Sequence, residues 1–580
     1  MGAETKPKAL KHKLKDLKKP IIGAGIIAVV AITGIVGGIF FYFSAVEKEK
    51  DTLTSSYGGL WWYDTLFKPR GLGPSAAPSS IGVINQIAEG LFEYEITNEY
   101  TRIVPNLALG EIWSSDGLNL TCLLREGVKF HDGTPFNAYA VKWNFDRLQN
   151  LLNNMSYPNI WYDEEWNLIL NRTEIIDDYT VRFVLNRPFV PFKAMLCSLQ
   201  SYILSPNTAP LNNFIEIDTN LIGTGPFKYD SSTFAYEPVW MLNYTVNTTL
   251  LANPDYWDGP PKLNTLIFKF FVDGVEERYE ALLSGEIQLT SLWPYDPENY
   301  TSHPGITLNY IDTPDIWLIF IKNNLINATM RKALSYAINY TKLLAYGETL
   351  WEGGVIRARS PLSKGMLYSN WKDFDVPYYN ITIARQVLKD INWNGTAGTL
   401  TANDNITAGN EWESLVTNGT PLAIYNVSYN PTKPFQIFYK DLLVESFKQI
   451  GVEINQIPVV SGEEYKNGWS HFIYWLGWGP DYNDPRSNIN PLFSSKADGY
   501  VNLGEVNDTL VQQWMEAGLT EMNETVRAQY YYDIQKRLIE VVYPCIWTYT
   551  ERLCNVHGPN LRGINYYLWP YKDLLKDAHF

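Results

Sequence analysis

LREGVKFHDGTPFNAYAVKWNFDRL, residues 124–148, specifies a strand end, a tight turn and a helix start in consecutive positions. Just upstream, Leu118, Leu120, Cys122 and Leu124 place apolar side chains at every second position, the period of a half-buried strand. Asp132-Gly133 supplies the turn dipeptide, in which glycine tolerates positive φ. Past Pro135, Asn137 stands at an N-cap position, and Ala138, Val141, Phe145 and Leu148 fall on one helical face. His131 and Asp132 therefore read as turn residues, with nothing obviously chemical in the stretch.

The chain has 580 residues, more than one hydrophobic core supports, so two large lobes are the natural division. A composition of 46% hydrophobic, 14% aromatic and 19% charged residues is that of a folded chain. The net charge of −15 is unevenly spread: residues 1–20 hold seven Lys against Glu4 and Asp16, which leaves −20 for the remainder. So acidic a body makes nucleic acid a poor partner, and none is expected.

Residues 21–43 contain no charged side chain. As a helix rising ~1.5 Å per residue they would reach roughly 35 Å, enough to cross a hydrocarbon core. Lys18 and Lys19 immediately precede them, so the basic tail 1–20 is expected in the cytoplasm and everything after Glu47 outside the cell. A cleavable signal peptide is the competing reading, but the apolar run is long for one and no small-x-small site clearly ends it. No Cys precedes Cys122, so a lipid attachment box is lacking as well. Gly34 and Gly38 match the small-xxx-small spacing of packed membrane helices, although glycine is common in such helices anyway.

Fifteen Asn-x-Ser/Thr triplets run from Asn119 to Asn523 and none lies in the basic tail, which fits an N-glycosylated body outside the cell. An Asn-rich composition accounts for part of that number. Cys122, Cys197, Cys545 and Cys554 permit disulfides in an exported protein. Cys545 and Cys554 are close enough in sequence to pair across neighbouring segments, and two buried free thiols fit equally well.

Further signatures follow in order. IIDDYTVRFVL (175–185) alternates as a strand; GTGPF (223–227), NPDYWDGPPKLNTLIFKF (253–270) and ALLSGEIQLT (281–290) come next; then a strand-like IWLIFI (316–321) and a helical MRKALSYAINYTKLL (330–344). Together with the opening stretch, these resemble the family 5 extracellular solute-binding proteins, the peptide and nickel type that serve ABC importers. LAIYNVSY (422–429), a helix with Phe435, Phe438, Leu442, Phe447 and Ile450 on one side, Gly451 as its stop, and VEINQIPVV (452–460) form a βαβ unit, so parallel sheet is expected. Residues 392–421 are rich in Asn, Thr and Gly and read as a surface insertion relative to the family. WWYDTLFKPRGLGPS (61–75) departs from the family's usual first strand.

The resemblance implies an α/β, two-lobed, periplasmic-binding-protein-like (Venus flytrap) fold with a discontinuous first lobe. The expected division is a tail at 1–20, an anchor at 21–43, lobe I at 51–311 with 546–580, and lobe II at 312–545.

Chemistry is sparse. The sequence contains no G-x-S-x-G, H-E-x-x-H, C-x-x-C or G-x-x-x-x-G-K-[ST], and its six His are scattered, so neither an enzyme nor a metal or other cofactor is expected. Paired carboxylates from distant parts of the chain are the one enzymatic route left open. The candidate site is WLGWGPDYNDP (475–485), where two Gly and two Pro shape a loop bearing Trp478, Asp481 and Tyr482. A carboxylate taken out of water needs a partner, and a ligand ammonium is a suitable one. In peptide-binding members of the family the Asp of the matching W-x-x-D-Y-x-[DE]-P loop pairs with the ligand α-amino group and the Trp lines the pocket; the resemblance carries those roles to Asp481 and Trp478. The plainer reading is that Asp481 and Asp484 shape turns. Aromatic faces suit peptide side chains and sugar rings alike, and of Trp61, Trp62 and Tyr63 only part can face a cleft, since neighbours on a strand point opposite ways.

The expected function is a membrane-anchored extracellular receptor that captures oligopeptides between its lobes and passes them to an ABC transporter permease. The alternatives are an oligosaccharide receptor of the same fold, a surface-layer or adhesion protein with a degenerate pocket, and an extracellular hydrolase.

Overall fold

The computed structural model of the protein describes residues 51–56, 78–96, 101–152, 168–208, 221–237, 242–269, 271, 275–292, 303, 305–350, 354–389, 392–393, 406–407, 421–459, 471–497, 502–566 and 573–580. The chain divides into two compact units, Met1–Lys50 and Asp51–Phe580, and every described residue belongs to the second. Among the described residues no helix is long and apolar enough to cross a membrane; the expected anchor at 21–43 lies outside them, as do 61–75 and nearly all of 394–420.

The opening stretch folds as its residues dictate. Strand Asn119–Leu124 buries Leu120, Cys122 and Leu124, and Asp132-Gly133 turns with Gly133 at φ 84°. The Asp132 carboxylate accepts from the backbone and hydroxyl of Thr134, from Ser205 and from Asn207, so its acceptor capacity serves the turn. His131 pairs through Nε2 with the Gly225 carbonyl at 2.9 Å, and burial pushes it down to about 4, a neutral imidazole at neutral pH. Asn137 caps helix Ala138–Leu152 by accepting from Ala140 N at 3.1 Å, and that helix buries Ala138, Val141, Phe145 and Leu148.

These elements cover an antiparallel four-stranded sheet in the order Ala108–Trp113, Asn119–Leu124, Thr180–Leu185, Leu170–Asp177. The expected single strand at 175–185 is in fact the turn of a hairpin: Asp177 pairs with Thr180, because Asp178 and Tyr179 reverse the chain between two runs that share the same alternation.

An eight-stranded mixed sheet lies alongside. Thr52–Ser56 runs parallel to Thr265–Lys269 and Leu289–Leu292, and Tyr549–His557 from the far end of the chain is inserted between Leu289–Leu292 and Thr307–Asp312. The GTGPF and NPDYW signatures are architectural here. A Cβ on Gly223 would come within 2.1 Å of the Ile87 carbonyl, and one on Gly225 within 2.6 Å of that of Gln86, so only glycine permits this backbone contact. Thr224, Tyr256 and Trp257 then all donate to the buried Glu89 carboxylate, at 2.7, 2.7 and 3.0 Å.

The chain passes to a five-stranded sheet between Asp312 and Ile316 and returns between Trp547 and Tyr549. Its order is Val452–Pro458, Ala423–Tyr429, Phe472–Trp478, Ile316–Ile321, Cys545–Trp547. IWLIFI is buried at all six positions because it has a core on each face: Trp317, Ile319 and Ile321 pack on one side, Ile316, Leu318 and Phe320 on the other. The expected βαβ unit is present, Ala423↔Val452 in parallel register across helix Pro434–Lys448, with Gly451 at φ 78°.

The helix expected over 330–344 is two helices, Ala328–Ala337 and Tyr340–Leu350. Ile338 is extended at ψ 130°, and the Asn339 side chain recaps the chain by accepting from Lys342 N at 3.0 Å. Arg331 is buried, and its guanidinium donates to the carbonyls of Val542, Tyr543, Asn323 and Ile326, which closes the end of the segment Leu538–Val542.

All four cysteines are buried thiols outside any disulfide. Cys545 lies in the five-stranded sheet and Cys554 in the eight-stranded one, so the pair that sequence proximity allowed is not formed. Burial pushes the Cys554 thiol up to about 12.

Candidate functional site

The candidate loop leaves strand Phe472–Trp478, which runs parallel to Ala423–Tyr429 and antiparallel to Ile316–Ile321. Its register slips at the end: Leu318 faces Trp475 whereas Ile316 faces Trp478, so the strand carries extra chain there and bends. Gly477 sits in this bulge at φ 78°, and a Cβ on it would lie 2.8 Å from the Trp317 ring. At Gly479 a Cβ would lie 2.4 Å from Asp315 Oδ1. Gly477 is therefore required by the close approach of Trp317, whereas a side chain at 479 would have to displace the Asp315 carboxylate.

The far end of the loop is fixed by Asp484. Its carboxylate caps helix Pro485–Phe493, accepting from Arg486 N at 3.0 Å, and forms a bidentate ion pair with Arg527, both contacts at 2.8 Å. Both side chains are almost fully buried, and Arg527 also donates to the Gly518 carbonyl and lies over the Tyr368 and Tyr531 rings. The turn-shaping role expected for Asp484 is thus present; its ion pair with Arg527 has no local sequence signal.

Between these fixed points the three predicted residues differ in surroundings. Trp478 is partly buried, and its indole Nε1 donates to the Ser487 carbonyl at 2.8 Å. Tyr482 is buried in the core beneath the four-stranded sheet, and its hydroxyl accepts from Arg486 at 2.8 Å. Asp481 is partly buried; its backbone N–H donates to Ser487 Oγ at 2.8 Å, while its carboxylate accepts no hydrogen bond among the described residues. Burial pushes that carboxyl up to about 7, with the Arg486 charge pulling it part of the way back. Ser487 thus fixes both Trp478 and Asp481 through its carbonyl and its hydroxyl.

An acidic pair, Glu551 and Asp315, stands behind the glycines. Glu551, on Tyr549–His557, is buried and accepts from Trp317 Nε1. Burial first, and Asp315 second, push its carboxyl up to about 8, so it is largely protonated at neutral pH. Sequence reading missed Asp315, Trp317 and Glu551, because they reach the loop from strands distant in the chain. Trp61, Trp62 and Tyr63 lie outside the described residues. Among the described residues no group of three His, Cys, Asp or Glu is placed to hold a metal ion.

The sequence model of the bacterial extracellular solute-binding proteins, family 5, matches residues 102–500. A glutathione-binding protein, GsiB of Pectobacterium atrosepticum, is 27% identical over 523 residues, which cover 86% of this chain and 90% of that one. Among solved structures, HbpA2 from Haemophilus parasuis superposes with a TM-score of 0.71 at 20% identity, covering 90% of this chain and 98% of its own. The periplasmic binding protein DppA from Helicobacter pylori, in complex with the peptide STSA, gives 0.60 at 20% identity over 92% and 99%. The fold is periplasmic-binding-protein-like.

Proposed function

The chain belongs to the bacterial extracellular solute-binding proteins of family 5, and we propose that within it this protein captures short peptides bearing a free α-amino group and hands them to an ABC transporter permease. The observation that carries the reading is the Asp481 carboxylate, desolvated and without a hydrogen-bond partner among the described residues, on the loop where Ser487 also holds the Trp478 indole. A ligand ammonium would supply the missing partner and a charge of the right sign. The glutathione-binding relative supports a ligand of peptide character, as does the peptide complex of the DppA neighbour. Contact with the ligand falls to Asp481 and Trp478; Tyr482, buried and bonded to Arg486, holds the loop from behind.

In this proposal residues 21–43 anchor the protein, the basic tail lies in the cytoplasm and the body stands outside the cell, where its Asn-x-Ser/Thr triplets are open to glycosylation. No bond is made or broken: the ligand shifts the protein toward a closed state in proportion to its preference for that state.

Calorimetry with trialanine, N-acetyl-trialanine, glutathione and a maltooligosaccharide tests the reading. Binding of the free-amine peptides with loss of affinity on acetylation is expected; equal affinity for trialanine and its acetylated form removes Asp481 as the ammonium partner, and binding of the sugar alone overturns the ligand class.

A further inference from the structure

Asn483, two residues beyond Asp481, is fully buried and uses its backbone N–H and both ends of its side-chain amide. Its backbone N–H donates to the Tyr94 hydroxyl at 3.0 Å, its Oδ1 accepts from Leu367 N at 2.8 Å, and its Nδ2 donates to the Gly365 carbonyl at 3.0 Å. Tyr94 lies on strand Phe92–Ile96, packs in the core under the four-stranded sheet, and donates its own proton to the Ala194 carbonyl at 2.6 Å. The Gly365 carbonyl receives a second bond, from Thr101 Oγ1 on the adjoining strand Thr101–Pro105, at 2.5 Å.

These bonds join two parts of the protein that the chain connects only through distant crossings, since Tyr94 and Asn483 are 389 residues apart. A further tie runs from Val190 N to the Leu519 carbonyl at 2.8 Å, and Tyr482 and Leu519 insert into the core under the four-stranded sheet. Separation of the two parts would expose those two side chains and leave a buried N–H of Asn483 to be resolvated. Ties of this kind would be lost if the two parts separated, which is the property a ligand-driven closure requires.

We infer that Asn483 is a positioning residue for capture: closing of the two parts forms the Tyr94–Asn483 tie, and the tie sets Asp481 two residues before it at the ligand. The inference rests on the reading of Asp481 as the partner of a ligand ammonium. It predicts that the tie acts on release more than on arrival, because it must break before the ligand can leave.

Tyr94→Phe removes the hydroxyl and keeps the ring; Thr101→Val, at a partly exposed position, is the milder second variant. In the full-length protein, with trialanine as probe, Tyr94→Phe should raise the dissociation rate by about tenfold and Thr101→Val by roughly threefold, with association rates within about twofold of wild type. Hydrogen exchange in the ligand-free protein should rise at 365–367 and 482–484 while Ala108–Trp113 and Asn119–Leu124 stay protected. Unchanged dissociation and exchange in both variants, or exchange rising equally through the four-stranded sheet, would overturn the inference. If trialanine fails to bind wild type, the ligand reading falls alone, and the exchange pattern still decides whether the tie exists as an independently closing contact.

Discussion

Peptide affinity should fall as pH falls through the range in which Asp481 takes up its proton. This carboxyl is pushed up to about 7 from the ordinary carboxyl value of 3.8, chiefly by burial. A ligand ammonium pairs with the ionised form only, so below about pH 7 each bound peptide must displace a proton, and affinity drops about tenfold per pH unit. From pH 8 to pH 5 the ionised fraction goes from about nine-tenths to about one-hundredth, a loss of roughly a hundredfold. Above pH 8 the peptide amine, with a pKa of about 7.7–8.0, loses its own proton, so affinity should peak between about pH 7 and 8. Calorimetry with trialanine in buffers of different ionisation enthalpy reads both the affinity and the protons released, about one per peptide at pH 6. Asp481→Asn should weaken binding at pH 7.5 on the order of tenfold to a hundredfold and flatten the profile between pH 5 and 7. A wild-type affinity that is flat from pH 5 to 7, with no proton released, would refute the assignment of Asp481 to the amine.

Three other outcomes follow from the surroundings of the loop. Arg527→Ala leaves the Asp484 carboxylate buried and unpaired, and should cost about 3–5 kcal/mol in denaturant unfolding. Glu551 has its carboxyl raised to about 8 in the folded protein, so the native state holds a proton that the unfolded chain releases between about pH 4.5 and 8. Its contribution to stability is present at low pH and lost as pH rises through 8; Glu551→Gln should remove that loss, seen as a smaller fall in Tm from pH 5 to 8 than in wild type. Gly477→Ala should cost about 1–3 kcal/mol from the left-handed backbone alone, and the contact with the Trp317 ring should displace the loop and weaken trialanine binding, as calorimetry would register.

Local rules carried the sequence reading wherever a segment's fate is set by its own residues. Alternation in 118–124, the Asp132-Gly133 turn and the Asn137 cap all appear as expected, because period and backbone freedom act within a few positions. IWLIFI is a strand as expected, while its burial on both faces comes from the packing of two cores against it. Errors arose where one signal fits two shapes: 175–185 alternates whether it is a strand or a hairpin, and Asn339 reads as a helical residue until its cap is seen. At the site, Trp478 and Asp481 are singled out by the resemblance alone, and their loop carries Gly477 in the left-handed region. The groups that constrain it were not legible. Arg527, Tyr94, Glu551 and Trp317 meet the loop through long-range packing, and no spacing in the sequence announces a pair 43 or 389 residues apart.

The most direct test of the central claim is an experimental structure of the protein with trialanine bound. The account predicts the peptide's α-amino nitrogen about 3 Å from an Asp481 carboxylate oxygen, with the peptide against the Trp478 ring. A bound peptide whose amino group meets another residue, with Asp481 still unpaired, would contradict it.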